Sequence, residues 1–285
     1  MSGPTVDIIT PPPGTAYAGM TGEAFNLLAR LFARHGMRAS ARDWTDANLG
    51  SADVTLPLLA WGYHLDPAGW NALLDRWPVD AMLLNPARLL RWNGRKTYLS
   101  ALAAAGVPIV PTYFTPFADE AALAAAFADF GGDEIVVKPQ VSAGSHDTFR
   151  LRRSDPAPCT RDAMIQPFLP AVAGEGELAI FLFGGRLSHG GVKRAAAGDF
   201  RVQPQLGGRI DAWRPDDEAL AVAHAAVAAL PEAPFYVRVD LIRLPEGRLA
   251  VMEVEAIEPD LYLHLAPDGG DMLALALRDA IAFAQ

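Results

Sequence analysis

The chain has 285 residues, 51% apolar and 20% charged, which suits a folded protein of two or three subdomains and excludes a disordered chain. Its 33 acidic residues against 24 Lys and Arg leave a formal charge of -9, which argues against general binding to nucleic-acid backbones but leaves room for one local basic pocket. One cysteine, Cys159, excludes an intramolecular disulfide, no apolar run is long enough to span a bilayer, and the first residues lack a basic-then-apolar signal, so a cytoplasmic protein with no membrane partner is expected.

Residues 6–10 form a β-branched run stopped by Pro11-Pro12-Pro13-Gly14, a first strand ending in a rigid loop. Residues 23–35 place Phe25, Leu28, Leu31 and Phe32 on one helical face, closed by Gly36. Strands are predicted over 37–41, 53–61 (weakened by Pro57) and 81–84, with a helix over 66–77. This alternation predicts a small parallel sheet with helices packed on it.

Further on, helices are predicted over 96–105 and 119–130, an extended segment over 107–111 and a strand over 135–138. Residues 163–169 read as extended, and 178–183 with 186–192 as a hairpin reversed at Gly184-Gly185. An Ala-rich helix over 215–230, strands over 235–244 and 248–254, and a helix over 270–283 complete the chain. The fold class is thus α/β in the first part and α+β in the second.

Lys138 ends the apolar strand Ile135-Val136-Val137 and precedes Val141-Ser142-Ala143-Gly144-Ser145-His146. A loop of small residues around a glycine can bring backbone N–H groups to a polyphosphate, and a neighbouring lysine complements the same anion. The alternative is an edge lysine with its amine in solvent. Glu253 and Glu255 are two apart on a strand and share a face, with Asp240 on the preceding strand. Hard carboxylate oxygens suit Mg2+ bridging to phosphates; a solvated acidic face is the alternative. Lys193, with Arg201 further along a Gly-containing stretch, adds positive charge suited to a carboxylate or phosphate. His189 reads as a packed histidine or a proton carrier, and His35, His64, His146, His224 and His264 show no zinc-like spacing.

The stretches Asn93 to Leu99, Gly106-Val107-Pro108, Val137-Lys138-Pro139, Gly174 to Glu177, His189 to Lys193, Arg238-Val239-Asp240 and Glu253-Val254-Glu255 together resemble the ATP-grasp superfamily. The resemblance spans about residues 80–265 and is most similar to the group holding glutathione-synthetase-like and RimK-like domains and the D-cycloserine-forming cyclo-ligase, through RWNGRKTYLSAL, AGVPIVPT, GDFRVQPQLGG and MEVEAIEPDLYL. It implies an ATP-grasp fold behind a small N-terminal parallel-sheet domain (1–92), a small subdomain with the phosphate loop (93–170) and a C-terminal subdomain with metal and substrate residues (171–285). Lys96 and Lys138 would contact ATP phosphates under a lid of Ser142, Gly144 and Ser145. Gln166, Pro167, Phe168 and Leu169 would line the adenine cleft, Glu175 or Glu177 would approach the adenosine, and Lys193 would face the nucleotide. Asp240, Glu253 and Glu255 would hold two Mg2+ ions; Glu255 stands where many of these enzymes have Asn, and a carboxylate still serves. Arg201 and Arg238 would steer the carboxylate.

The activity implied is ligation of a small amino-acid-like carboxylate through an acyl phosphate attacked by nitrogen, intramolecular or between molecules. A small-molecule kinase and a non-catalytic nucleotide-binding protein on the same fold stay open, as does the oligomeric state, a homodimer included.

Overall fold

A computed structural model of the chain describes residues 3–196, 200–202 and 207–284. Strands β1 (Thr5–Thr10), β2 (Arg38–Asp43) and β3 (Val54–Leu56) form a parallel sheet in the order β2-β1-β3. Helix α1 (Gly22–Arg34) buries Leu28, Leu31 and Phe32, the face its spacing prescribes. The predicted strand over 53–61 is cut to Val54–Leu56, because Pro57 has no N–H to continue the ladder. The segment predicted as a strand at 81–84 contributes one bridge, between Thr55 and Leu83. Helix α2 (Pro67–Asp75) starts at Asp66, whose carboxylate accepts the Gly69 N–H at 2.9 Å.

Two short helices follow, α3 (Ala87–Asn93), which sequence reading missed, and α4 (Tyr98–Ala104). A four-stranded antiparallel sheet comes next, from β4 (Tyr113–Phe117), β5 (Glu134–Pro139), β6 (Phe149–Arg152) and β7 (Arg161–Pro167), in the order β4-β7-β5-β6. Helix α5 (Glu120–Phe130), capped by Asp119 and ended by Gly131 at φ +68°, covers one face through Ala122, Leu123, Ala126 and Phe127. Val137 and Ile135 join that core, so by alternation Val136 and Lys138 face the other way.

The third sheet is antiparallel, in the order β10-β9-β8-β11-β12: β8 (Glu177–Phe183), β9 (Arg186–Arg194), β10 (Arg209–Trp213), β11 (Tyr236–Arg243) and β12 (Leu249–Glu255). One face packs on α4 and α6 (Asp217–Ala228) through Leu178, Ile180, Leu182, Val239, Val251 and Val254. The opposite face is covered at one end by the N-terminal sheet, α1 and α7 (Asp271–Ala284), where Phe181, Phe183 and Tyr236 meet Leu273 and Leu277. No helix of the described residues is long and apolar enough to cross a membrane.

The strands missed from sequence, β4, β6 and β10, are all sheet edges. Edge strands are short and polar and tolerate proline, such as Pro116 in β4, so they lack the apolar run that marks an interior strand.

Candidate active site

The face of the five-stranded sheet away from α6 reads in three bands. At one end are Phe181, Phe183 and Tyr236, under the N-terminal sheet. At the other end Ile242, Leu244 and Ala250 join Val110, Leu169, Val172 and Val202 in a separate apolar cluster. Between them lies a charged band: Glu177 and Lys193 paired across β8 and β9, Arg238 and Asp240 on β11, and Glu253 and Glu255 on β12.

A bulge in β12 makes this possible. Arg238 pairs with Glu255 and Asp240 with Glu253, but the register then shifts and Leu241 pairs with Val251. The extra residue, Met252, lets Val251 stay in the α6 core while Glu253 turns to the charged face; unbroken alternation would put both on one side.

The charges are paired in a chain. Lys193 Nζ bonds Glu177 and sits 2.8 Å from Asp240 Oδ2. Arg238 donates to both Asp240 oxygens at 3.0–3.1 Å, to the Asp260 carbonyl at 3.2 Å, and to Glu255. Lys96 donates to the Ser142 carbonyl at 2.5 Å and lies 2.8 Å from Glu253 Oε1. Burial works against the charge on Asp240, yet Arg238 and Lys193 outweigh it and hold its carboxyl below the usual range. Burial likewise opposes the Lys193 charge, and Asp240 and Glu177 hold its pKa above that of an ordinary lysine. Glu177 goes the other way, pushed up by burial despite Lys193. Burial, with repulsion from Glu253 and Asp240, pushes Glu255 up to about 7. Glu258 is pushed up to about 8 by burial and Glu255.

Lys138 faces this band from the four-stranded sheet. No hydrogen bond or ion pair among the described residues engages its ammonium, and burial pushes its pKa down against the attraction of Glu253. Ser142 is buried, and Gly144, Ser145 and Asp147 all have positive φ (61°, 60° and 49°). Left-handed non-glycine residues are costly and cluster where a loop's backbone has a task. Gln166 is buried and donates to Thr112 Oγ1 at 2.9 Å. After Pro167, Phe168 lies under the Arg150 guanidinium, 3.6 Å from its centroid, with Phe200 edge-on at 6.3 Å. Leu169 and Val202 belong to the apolar end cluster, so Arg201 is the chain neighbour of a residue in that cluster; Asp199 and Gln203, in the motif around it, lie outside the described residues. Glu175 is bound by Arg243 at 2.8 Å, away from the band, and of the two glutamates only Glu177 lies within it.

Among the described residues, no three Asp, Glu, His or Cys side chains are grouped as a ready metal cage; Asp240, Glu253 and Glu255 each hold a cationic side chain. The donor set nevertheless fits Mg2+. Glu253 and Glu255 offer hard oxygens from side chains still 24% and 26% exposed, while Asp240 at 2% lies behind them. Sequence reading missed the supports of this face. Asn93 donates to the Val254 carbonyl at 2.7 Å and accepts the Ala256 N–H, and Tyr98 exchanges 3.0 Å bonds with Val254. Asn93 stood inside a noted motif, but its contacts span 161 residues of chain. Beside Arg238, a cavity of about 380 Å3 lies between α1, residues 58–61 and 259–264, and the start of β10, lined by Leu58, Trp61, Arg209, Asp260 and Tyr262 among others.

A lysine-bearing sheet facing a carboxylate-bearing sheet, behind a small parallel-sheet domain, defines an ATP-grasp ligase. Among solved structures the chain aligns with D-cycloserine synthetase DcsG (TM-score 0.83, 27% identity, 97% of this chain and 99% of that one). It aligns in fold with a RimK-domain ATP-grasp protein of Sphaerobacter thermophilus (TM-score 0.65, 18% identity, 97% and 99% covered) and with D-alanine–D-alanine ligase of Bacillus anthracis (TM-score 0.69, 13% identity, 98% and 97% covered). No family model matches the chain. In sequence it is 32% identical over 272 residues to the cycloserine biosynthesis protein DcsG of Streptomyces lavendulae, covering 86% of this chain and 90% of that protein. The chain belongs to the DcsG family of ATP-grasp ligases, which couple ATP to the joining of a carboxylate and a nitrogen through an acyl phosphate.

Proposed function

We propose that this ligase closes a ring within one small amino-acid-like substrate, as the name D-cycloserine synthetase states for its relative, with O-ureido-D-serine the first substrate to test. The observation that carries the reading is the band in which Lys193, Arg238 and Lys96 alternate with Glu177, Asp240, Glu253 and Glu255 between two apolar ends. The apolar end at Leu169, with Gln166, Pro167 and Phe168, takes the adenine, and Glu177 rather than Glu175 lies toward the nucleotide. Lys138, Lys96 and Lys193 hold the phosphates under the loop of Ser142, Gly144 and Ser145. Asp240, Glu253 and Glu255 would hold two Mg2+ ions. Those ions, when bound, neutralise charge on the transferred phosphoryl group. In this division residues 1–92 close over the substrate, 93–170 clasp the nucleotide and 171–285 carry the metal and substrate residues.

Arg238 and Arg201 orient the substrate carboxylate, since a guanidinium fork matches two carboxylate oxygens. One carboxylate oxygen attacks the γ-phosphorus and the bond to ADP breaks. The nitrogen then attacks the acyl carbon, the C–O bond to phosphate breaks, and the nitrogen loses a proton. Fixed charges aimed at the developing negative charge lower the barrier without reorganising, and the loop keeps water from the acyl phosphate.

The test is to incubate the enzyme with Mg2+, ATP and a panel of amino-acid-like carboxylates including O-ureido-D-serine, and to resolve nucleotides and products. ADP, phosphate and a cyclic product are expected, lighter than the substrate by one water and, where the carbamoyl group of O-ureido-D-serine is then hydrolysed from the ring nitrogen and leaves as carbon dioxide and ammonia, lighter by that group as well; a hydroxamate is expected when hydroxylamine is added. AMP and pyrophosphate would reject acyl-phosphate chemistry; ADP with a stable phosphorylated product would make the chain a kinase; a joined, uncyclised product would reject ring closure.

A further inference from the structure

Two histidines are deeply buried in this protein, and only one is accounted for. His189 stacks on Phe181 with ring centroids 4.2 Å apart, and its nitrogens meet Ser188 Oγ at 2.9 Å and the Leu261 carbonyl at 3.0 Å. His64 is 7% exposed, and neither ring nitrogen has a hydrogen-bond partner. Buried polar atoms are bonded in the great majority of cases, and one left unbonded costs the full desolvation of that group. Packing does not choose a histidine here over a leucine.

The position of His64 indicates what the imidazole is for. It stands in the turn Tyr63–Leu65, just after Gly62, whose φ of +90° suits glycine alone and where a Cβ would come within 2.7 Å of the Tyr17 ring. Tyr17 and Tyr63 meet it edge-on at 5.8 and 5.9 Å. On its remaining side is His146, ring centroids 5.8 Å apart, in the small-residue loop whose Ser142 carbonyl is held by Lys96. Leu58, Leu59 and Trp61, just before it in the chain, line the 380 Å3 cavity beside Arg238. His64 therefore brings an unbonded donor and acceptor from the N-terminal part of the chain against the phosphate loop at His146, a few residues along from the segment that lines the cavity.

We infer that His64 contacts the substrate, its imidazole N–H donating to an oxygen of the carboxylate as that group is phosphorylated. This rests on the ligase reading above. Burial, then His146 and Lys96, push its pKa down to about 4, so the ring is neutral at working pH and keeps one donor and one acceptor. A neutral donor can follow the group from carboxylate to acyl phosphate without exchanging a proton.

The test uses His64→Leu and His64→Gln beside the wild-type enzyme. Expected for His64→Leu is an unliganded melting temperature equal to or above wild type, kcat/KM for the carboxylate lower by at least tenfold, and KM for ATP within twofold. His64→Gln, which keeps an N–H donor, should recover part of the loss. A fall of several degrees in melting temperature with kinetics unchanged would make His64 structural and overturn the inference. Should His64→Leu fail to fold, 15N-histidine spectra of the wild type decide: the His64 nitrogen signals should shift on adding MgADP with inorganic phosphate and the carboxylate, and no shift overturns the inference. Failure of the ligase reading shows separately, as absence of carboxylate-dependent ADP formation by the wild type.

Discussion

Replacing Lys193 with methionine tests whether the charged band is a mutually dependent set. Methionine keeps an unbranched apolar stem close to the lysine's length and removes the charged ammonium. Lys193 bonds Glu177 and stands 2.8 Å from Asp240, with side chains 6%, 10% and 2% exposed in that order. Asp240 keeps Arg238 at 3.0 Å, but Glu177 loses the one ion-pair partner it has among the described residues. Breaking one side of a buried pair costs about 3–5 kcal/mol, and in a chain of this size each kcal/mol moves the melting temperature by about 2–4 °C, so a drop of roughly 6–20 °C is expected at pH 8.

The pH dependence carries a sign. Burial already raises the Glu177 pKa, and without the ammonium it rises further. A carboxyl whose folded pKa exceeds its unfolded value, about 4.3, contributes stability below that value and loses it as pH rises through the folded pKa. The deficit of Lys193→Met should therefore shrink as the pH is lowered from about 8 to about 5, followed by calorimetry or circular dichroism. Adding Glu177→Gln should restore much of the stability at pH 8, because the uncompensated charge is gone, while turnover stays low. A melting temperature within about 2 °C of wild type at pH 8, or a deficit independent of pH, would refute the reasoning.

Lys138→Ala should weaken binding of a non-hydrolysable ATP analogue by roughly 10–100-fold, the range of a charged hydrogen bond of about 1.5–3 kcal/mol, while leaving the melting temperature unchanged or higher, since nothing among the described residues pairs with this ammonium; calorimetric titration measures it, and equal affinity would return Lys138 to the role of an edge lysine. Glu253→Gln keeps the side chain's shape but removes the charge that Mg2+ requires, so turnover should fall by about 100-fold or more and the Mg2+ needed for half-maximal ADP formation should rise. Lys96 keeps its bond to the Ser142 carbonyl, so the melting temperature should fall less than in Lys193→Met, and unchanged turnover at saturating Mg2+ would remove Glu253 from the metal set.

Interior strands and long helices were legible in the chain because burial imposes a period on sequence. The interior strands β1, β5, β8 and β11 are apolar runs, as is the buried edge strand β12, and α1, α5 and α7 carry apolar faces at helical spacing. Edge strands β4, β6 and β10 were not legible, since one side meets no partner strand and little selects apolar residues there. The candidate site was readable as residue types in order, lysine at a strand end and acids two apart, and the resemblance rested on that order. Tertiary structure alone decided the pairing: the bulge at Met252 that turns Glu253 from core to cleft, the choice of Glu177 over Glu175 as partner of Lys193, and the unbonded His64 standing by the loop at His146. A sequence reports what each residue would do along its own strand or helix. Which charges meet depends on register and on contacts between distant segments, such as the 161 residues separating Asn93 from Val254, and no local period encodes those distances.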